Sequence, residues 1–253
     1  MVVYGINPVL EALRAGRVQE VRMAARPGAR LQEIVAVAEE RGVPVRGVAP
    51  DALDRDARRG VHQGVVALVR DTAGCSLPEL VQSAAGIPLL VVLDGVEDPQ
   101  NLGAILRTVD AAGADGVVVQ SRRSAARGGA AAKASAGAIA YVRVAEVVNI
   151  ARALEELKAL GVWTVGLADD ADTPYDRIDL TGPTAVVLGA EGAGLRRLVR
   201  ERCDFLAAIP MQGHVGSLNV SVAAGVTLFE AVRQRRLKGH QPAKRTAIVR
   251  SEG

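Results

Sequence analysis

The chain has 253 residues, of which 49% are hydrophobic and 23% charged, so it can bury a core and is not a disordered protein. No apolar run reaches the roughly 18 to 20 residues that cross a bilayer, and the N-terminus lacks the order of a secretion signal, so we expect a cytoplasmic protein. The two cysteines, Cys75 and Cys203, are too few for a disulfide scaffold, and no Cys/His cluster has the spacing of metal ligands.

The charge of the chain is only mildly basic, with a formal net charge of +3. A small net charge says little about partners, but the basic residues cluster at 122–127 and 233–245. Aromatic residues make up 2% of the chain, which argues against RNA-binding folds that stack bases on aromatic platforms.

Helices and strands alternate in residues 1–70. Asn7 can cap a helix, Pro8 suits its first position and Gly16 can end the segment that follows it. We predict a compact α/β domain over these residues, followed by a linker at 71–86 in which glycine and proline surround a short turn of helix. The predicted helices span residues 7–14, 31–41 and 51–59, and the predicted strands span residues 18–23, 43–48 and 64–69.

Near-continuous apolar strands begin after residue 87, a pattern typical of parallel strands that are covered on both faces. Strands that alternate with helices predict an open parallel sheet, so we expect a second α/β domain over 87–238 and a basic tail over 239–253. The predicted strands are 89–93, 116–119, 141–144, 162–167, 185–188 and 205–209, and the predicted helices are 102–111, 147–160, 195–202 and 218–236.

Ligands of open parallel sheets bind beyond the carboxyl ends of the strands, and the first strand of the second domain ends in a distinctive loop. Residues 94–107 lead into a helix that Asp98 and Pro99 can start, with Asn101, Gly103 and Arg107 close behind. The alternative is an ordinary capped helix with a solvated arginine.

A glycine-rich loop follows a later strand, at residues 188–195. Three glycines surround Glu191 and permit close backbone approach and unusual dihedral angles. The alternative is an ordinary turn that places Glu191 near a helix N-terminus. The glycine order is not that of a nicotinamide-binding loop, and the chain has no phosphate-binding loop motif.

The third unusual loop covers residues 209–221 and enters the last predicted helix. Ser217 and Asn219 lie where that helix begins. The simplest interpretation of Ser217 is a helix N-cap, and a polar site residue is the alternative.

Together these three loops resemble the motifs of the SpoU (TrmH-type) branch of the SPOUT RNA ribose 2′-O-methyltransferases. Asn101-x-Gly103-x-x-x-Arg107 looks like motif 1, residues 188–195 like motif 2 and residues 209–224 like motif 3. Residues 3–13 and 61–65 are similar to the L30e-like substrate-binding domain of the members that modify a guanosine of 23S rRNA.

The resemblance implies a trefoil-knotted catalytic domain, S-adenosylmethionine as the cofactor without a metal, an RNA substrate and a homodimer with composite sites. The implied cofactor-binding residues are Gly189, Ile209, Leu218, Leu167 and Met211. The implied catalytic residues are Asn101, Arg107, Glu191, Ser217 and Asn219.

The chemistry limits what Arg107 can do. It is the candidate base of the family, but an arginine pKa above about 12 makes deprotonation costly, so we favour a grip on the RNA phosphate or ribose. Arg122, Arg123 and Arg127 are candidate RNA-phosphate contacts, with a solvated loop as the alternative. Other substrates within the family (a tRNA or another rRNA site) and a non-catalytic RNA-binding assembly factor remain open at this point.

Overall fold

The computed structural model of the protein describes residues 2–24, 28–58, 60–69, 75–121 and 141–240. Within them the chain forms two α/β units, each with its own sheet, as the alternation of helices and strands predicts. None of the helices in these ranges is long and apolar enough to cross a membrane.

The N-terminal unit is built on a mixed four-stranded sheet. Its elements are β1 (Val2–Tyr4), α1 (Ile6–Arg14), β2 (Val18–Ala24), α2 (Ala29–Glu40), β3 (Val45–Val48), α3 (Pro50–Asp56) and β4 (Val65–Val69). The strand order is β1-β4-β2-β3, in which β4 runs antiparallel to both of its neighbours and β2 is parallel to β3. The sequence prediction missed β1, because three residues are too few to show a strand periodicity.

The C-terminal unit is built on a six-stranded sheet, all of whose pairings are parallel. This confirms the predicted parallel α/β architecture. Its elements are α4 (Leu77–Gln82), β5 (Leu89–Asp94), α5 (Pro99–Ala112), β6 (Gly116–Gln120), β7 (Arg143–Val147), α6 (Ile150–Ala159), β8 (Trp163–Leu167), β9 (Thr184–Gly189), α7 (Arg197–Arg202), β10 (Phe205–Ala207) and α8 (Val220–Leu237). The strand order is β10-β8-β9-β5-β6-β7.

The central strand β5 explains why the apolar runs are continuous. All six of its residues are buried. Leu89, Val91 and Leu93 belong to the core that α5 and α8 cover, whereas Leu90 and Val92 belong to the core on the opposite face, under α4 and α6. Because successive strand residues point to opposite faces, a strand between two helical layers needs apolar side chains at every position.

Helix α4 lies within the predicted linker, where the sequence indicates a short turn of helix. Ser76 and Glu79 form a capping box, and Leu77 and Leu80 are buried in the core of the C-terminal unit. The helix contacts β7 and α6. The C-terminal unit therefore includes the chain from residue 75 onward, because these two leucines need the sheet to bury them.

A tyrosine links the two units. The hydroxyl of Tyr141 lies 3.0 Å from the backbone oxygen of Glu11 and 3.2 Å from its carboxylate Oε2. Burial, and next to it the negative charge of Glu11, raises the pKa of Tyr141 to about 12. The tyrosine thus stays neutral and anchors α1 to the segment that precedes β7.

Candidate active site

Helix α5 brings the first site residue to the carboxyl edge of the sheet. It follows β5, and Asp98 is its N-cap, as predicted, because the carboxylate Oδ2 accepts a hydrogen bond from the backbone N–H of Asn101 at 2.9 Å. Pro99 occupies the first turn, where a missing N–H costs nothing. The cap therefore fixes Asn101 in the first turn, facing the other two loops.

Three of the five predicted polar residues meet at Asn101. Its amide Nδ2 donates to Oε2 of Glu191 at 3.2 Å, and its Oδ1 accepts from Nδ2 of Asn219 at 2.9 Å. These two contacts fix which end of the Asn101 amide faces each neighbour. The structure thereby joins one side chain from each of the three motifs.

Asn219, rather than Ser217, caps the last helix. The Oδ1 of Asn219 accepts from the backbone N–H of Ser221 at 2.9 Å and from its Oγ at 2.6 Å. Ser217 is exposed and forms no hydrogen bond within the described part of the chain. The sequence gives no way to choose between two residues with cap-forming side chains that stand two positions apart.

Arg107 does not join the other polar residues. Six residues on a helix place it about 9 Å further along α5 than Asn101 and about 120° around the axis. Its side chain is exposed and has no hydrogen bond to any residue that the structure describes. Asn101 and Arg107 thus belong to the same sequence motif, but their side chains have different surroundings.

The glycine-rich loop closes on itself after β9. Ala190 and Gly194 exchange two backbone hydrogen bonds, of 3.1 and 2.8 Å, and Gly194 takes a φ of 64° in the left-handed region. A Cβ on Gly189 would collide with backbone atoms of Gly194 and Leu195. Position 189 therefore requires glycine, because the loop returns across its Cα.

A shallow cleft lies beside these loops at the carboxyl ends of β8 and β10. Four of the five predicted cofactor-binding residues line it, whereas Gly189 does not. Its lining residues are Leu167, Ala168, Asp169, Ala207, Ile209, Met211, Leu218 and Ala223.

Among the residues that the structure describes, Asp169 is the one charged residue that lines this cleft, and the sequence prediction missed it. Its position two residues after the end of β8 was the available signal, because ligands of parallel sheets bind at these ends. The cleft therefore combines apolar walls with one carboxylate. That combination suits a flat apolar ring that carries hydroxyl or ammonium groups.

Other candidates fall outside the site. Arg122, Arg123 and Arg127 lie outside the residues that the structure describes. Cys203 is half-buried at the end of α7, and burial raises the pKa of its thiol to about 12, so the thiol is protonated at neutral pH.

Two family profiles match the chain. Residues 88–229 match the SpoU rRNA Methylase family, and residues 2–72 match the RNA 2′-O ribose methyltransferase substrate-binding domain. The chain belongs to the SpoU rRNA methylase family. This confirms the resemblance drawn from the three motifs and the N-terminal signatures.

Relatives with an assigned activity match over nearly their whole length. The chain is 47% identical to the 23S rRNA (guanosine-2′-O-)-methyltransferase RlmB of Pseudomonas syringae pv. tomato over 242 residues, which is 93% of this chain and 96% of the relative. It is 48% identical to the enzyme of the same name from Xylella fastidiosa strain Temecula1 over 241 residues, or 93% and 97%.

Solved structures have the same fold. The SpoU methyltransferase AviRb from Streptomyces viridochromogenes in complex with AdoMet has a TM-score of 0.80 and 27% identity, and covers 93% of this chain and 90% of its own. The AdoMet-bound rRNA methyltransferase from Sinorhizobium meliloti has a TM-score of 0.75 and 28% identity, over 92% and 86%. The trefoil knot that the resemblance implies stays a prediction.

Proposed function

We propose that this chain transfers a methyl group from S-adenosylmethionine to the ribose 2′-hydroxyl of a guanosine in 23S rRNA, which implies a cytoplasmic enzyme. The observation that carries the proposal is the Glu191–Asn101–Asn219 cluster beside an apolar cleft. Asn219 belongs to the cluster, and its neighbour Leu218 lines the cleft. The assignment of a guanosine in 23S rRNA as the substrate rests on the relatives, which are named 23S rRNA (guanosine-2′-O-)-methyltransferase.

The cleft fits the cofactor on its own chemistry. Apolar walls suit the adenine ring, and the Asp169 carboxylate suits the ribose hydroxyls or the amino group. Bound S-adenosylmethionine supplies a methyl group that its positive sulfur makes electrophilic. The residues of the cleft that would hold it are Leu167, Asp169, Ile209, Met211 and Leu218. Gly189 does not line the cleft, and its part in holding the cofactor is what the family resemblance implies.

The polar cluster would orient the attacking hydroxyl. Glu191 is exposed, and its carboxylate has acceptor capacity beyond the single hydrogen bond from Asn101, so it can accept one from a ribose hydroxyl. Asn101, held from both sides, fixes the direction of that carboxylate, and exposed Ser217 is free to contact the same ribose. Correct positioning of two reactants contributes roughly 7 to 11 kcal/mol to lowering the barrier.

In a homodimer, Arg107 of one subunit would act in the active site of the other subunit. Helix α5 packs against α8, on which Val222 and Phe229 expose large apolar side chains one heptad apart. Pairing of these helices between two copies would cover the apolar side chains and carry Arg107 toward the neighbouring site. Its planar fork would there bind a phosphate of the RNA.

The two units would divide the work, with residues 1–70 selecting the RNA and the C-terminal unit, from residue 75 to 238, performing the transfer. The first unit matches a substrate-binding domain, and Tyr141 anchors it to the second. Residues 239–253 and the arginines at 122, 123 and 127 add positive charge for RNA phosphates.

The test is methyl transfer from labelled cofactor to deproteinised large-subunit rRNA, with bulk tRNA as the competing substrate. We expect one guanosine of 23S rRNA to gain a 2′-O-methyl group, and cofactor binding in calorimetry to persist in the presence of a chelator. Preferential labelling of tRNA would overturn the substrate assignment. Absence of any transfer, with RNA still bound, would instead support an assembly factor.

A further inference from the structure

A buried carboxylate lies at the base of the site, outside the residues assigned above. Asp94 is the last residue of β5, and its side chain has 0% exposure. Its Oδ2 accepts from the backbone N–H of Arg196 at 2.8 Å and its Oδ1 from Nε of the same residue at 2.6 Å; Nη2 of Arg196 completes an ion pair with Oδ1. One carboxylate thus binds both the backbone and the side chain of Arg196.

The contact extends to the next strands. The Nη2 of Arg196 also donates to Oε1 of Gln120, at the end of β6, at 3.2 Å. The Nε2 of Gln120 donates in turn to the backbone oxygen of Val148, just after β7, at 2.9 Å. The carboxyl ends of β5, β6 and β7 are therefore joined to the chain that leaves the glycine-rich loop.

This network connects the loop that leads to Asn101 with the loop that carries Glu191. Asp94 precedes the α5 cap by four residues, and Arg196 follows Glu191 by five. The Ala190–Gly194 hydrogen bonds close the loop, but the two glycines with positive φ between Glu191 and Arg196 carry no side chains that could tie it to the rest of the site, so its placement depends on the contacts at its ends. The exposed hydrogen bond between Asn101 and Glu191 is too weak alone to hold such a loop, since an average hydrogen bond adds little net stability.

We propose that Asp94 and Arg196 form a positioning pair that holds Glu191 against Asn101 and thereby sets the turnover rate, without contact to substrate. The inference rests on the role proposed above for Glu191. A fully buried carboxylate is costly to desolvate, and apolar side chains of similar volume give comparable stability. The pair is therefore important for its geometry rather than for net stability. Hydrogen bonds from the planar guanidinium and the backbone N–H of Arg196 fix the orientation of the chain at this residue relative to Asp94, which apolar packing would not do.

The variants are Asp94→Asn and Arg196→Lys, with Asp204→Asn as the matched control. Asp204 is a second buried carboxylate, 3% exposed, that accepts from the backbone N–H of Thr164 at 2.9 Å and from Lys158, at the amino edge of the sheet. We expect all three variants to lose thermal stability. Only the first two should lose kcat, by about 10-fold to 100-fold, with cofactor Kd within about two-fold, since misplacement of a reacting group by about 1 Å has an effect of this size.

A double variant separates positioning from direct RNA contact. If Arg196 acts through Glu191, Arg196→Lys should cost little further kcat in a Glu191→Gln background. An equal loss in both backgrounds would overturn the positioning role. If Asp94→Asn does not fold, Arg196→Lys alone decides the question, because it keeps a positive charge beside the buried carboxylate.

The outcome also distinguishes this inference from the proposed function. Unchanged kcat in Asp94→Asn and Arg196→Lys, with a lowered kcat in Glu191→Gln, would overturn the positioning pair and leave the role of Glu191 intact. Full activity of Glu191→Gln would overturn that role and the positioning pair with it. A kcat loss of equal size in Asp204→Asn would assign the effect to general stability and overturn the inference as well.

Discussion

The side-chain amide of Asn219 donates a hydrogen bond to the amide oxygen of Asn101 at 2.9 Å, across 118 positions of the sequence. Because Asn101 also donates to Glu191, it is a donor to one loop and an acceptor from the other. A side chain with both functions in one plane is required at this position, and asparagine meets that need.

Asn101→Asp tests this requirement. The carboxylate would still accept from Asn219 but would face Glu191 with a second negative charge, so we expect kcat to fall by about 100-fold through loss of orientation. Asn149→Asp is the matched control, because Asn149 caps α6 away from the site and aspartate caps equally well. Equal activity of the two variants in the methyl-transfer assay would contradict the role of Asn101.

Gly189→Ala tests the closed loop. The added Cβ would meet the backbone of Gly194 and Leu195, so the loop must move, and we expect cofactor Kd to rise at least about 10-fold with a loss of activity, since overpacking a rigid contact costs 1 to 3 kcal/mol. Gly182→Ala is the control, because its Cβ would meet nothing within 4 Å. Normal cofactor binding by Gly189→Ala in calorimetry would show that the loop does not shape the cofactor site.

A mixing experiment tests the composite site. Arg107→Ala and Asn101→Asp should each have very low activity, but a refolded equimolar mixture should recover about a quarter of the wild-type activity, because half of the subunits enter mixed dimers with one intact site each. Separate sites within each subunit predict no recovery. Arg107→Lys should also be poor, because a point charge does not replace the planar fork.

Tyr141→Phe tests the contact between the two units. Loss of the hydroxyl removes its hydrogen bond to Glu11, at a cost of about 1 kcal/mol, and should speed hydrogen exchange in α1. Tyr175→Phe is the control, because its hydroxyl has no hydrogen bond within the described residues. Unchanged exchange in α1 would mean that apolar packing alone joins the units.

The same tyrosine predicts a pH dependence. Its pKa in the folded protein is raised from 10.0 to about 12, so the neutral form is favoured by folding. The contribution of Tyr141 to stability is therefore complete below pH 10 and is lost as the pH rises from 10 to about 12. Chemical denaturation of wild type and Tyr141→Phe across this range should show the difference between them shrink with rising pH.

Alanine at Arg122, Arg123 and Arg127 together tests the proposed RNA contacts. If all three bind phosphates of a single strand, the slope of log affinity against log salt should fall by roughly 2. Cofactor binding should not change. An unaltered slope in filter binding would return these arginines to the solvated-loop interpretation and direct attention to residues 233–236.

The sequence by itself determined the order and type of most elements. Strands β5 and β9 can be predicted because burial on both faces requires unbroken apolar runs. Helix α5 can be predicted because Asp98 and Pro99 form a local start signal. The family was likewise predictable, since its motifs are short and contiguous. Such features depend on neighbours in sequence, so local chemistry is enough to reveal them.

Only the tertiary structure decided which of the motif residues meet. It joined Asn101 to Glu191 and Asn219 and left Arg107 apart. It also made Asn219, and not Ser217, the cap of the last helix. It also revealed the bond between Asp94 and Arg196, 102 positions apart. A contact of that range leaves no periodicity in either segment, because it depends on how the sheet orders its strands and on which loops that order brings to one edge.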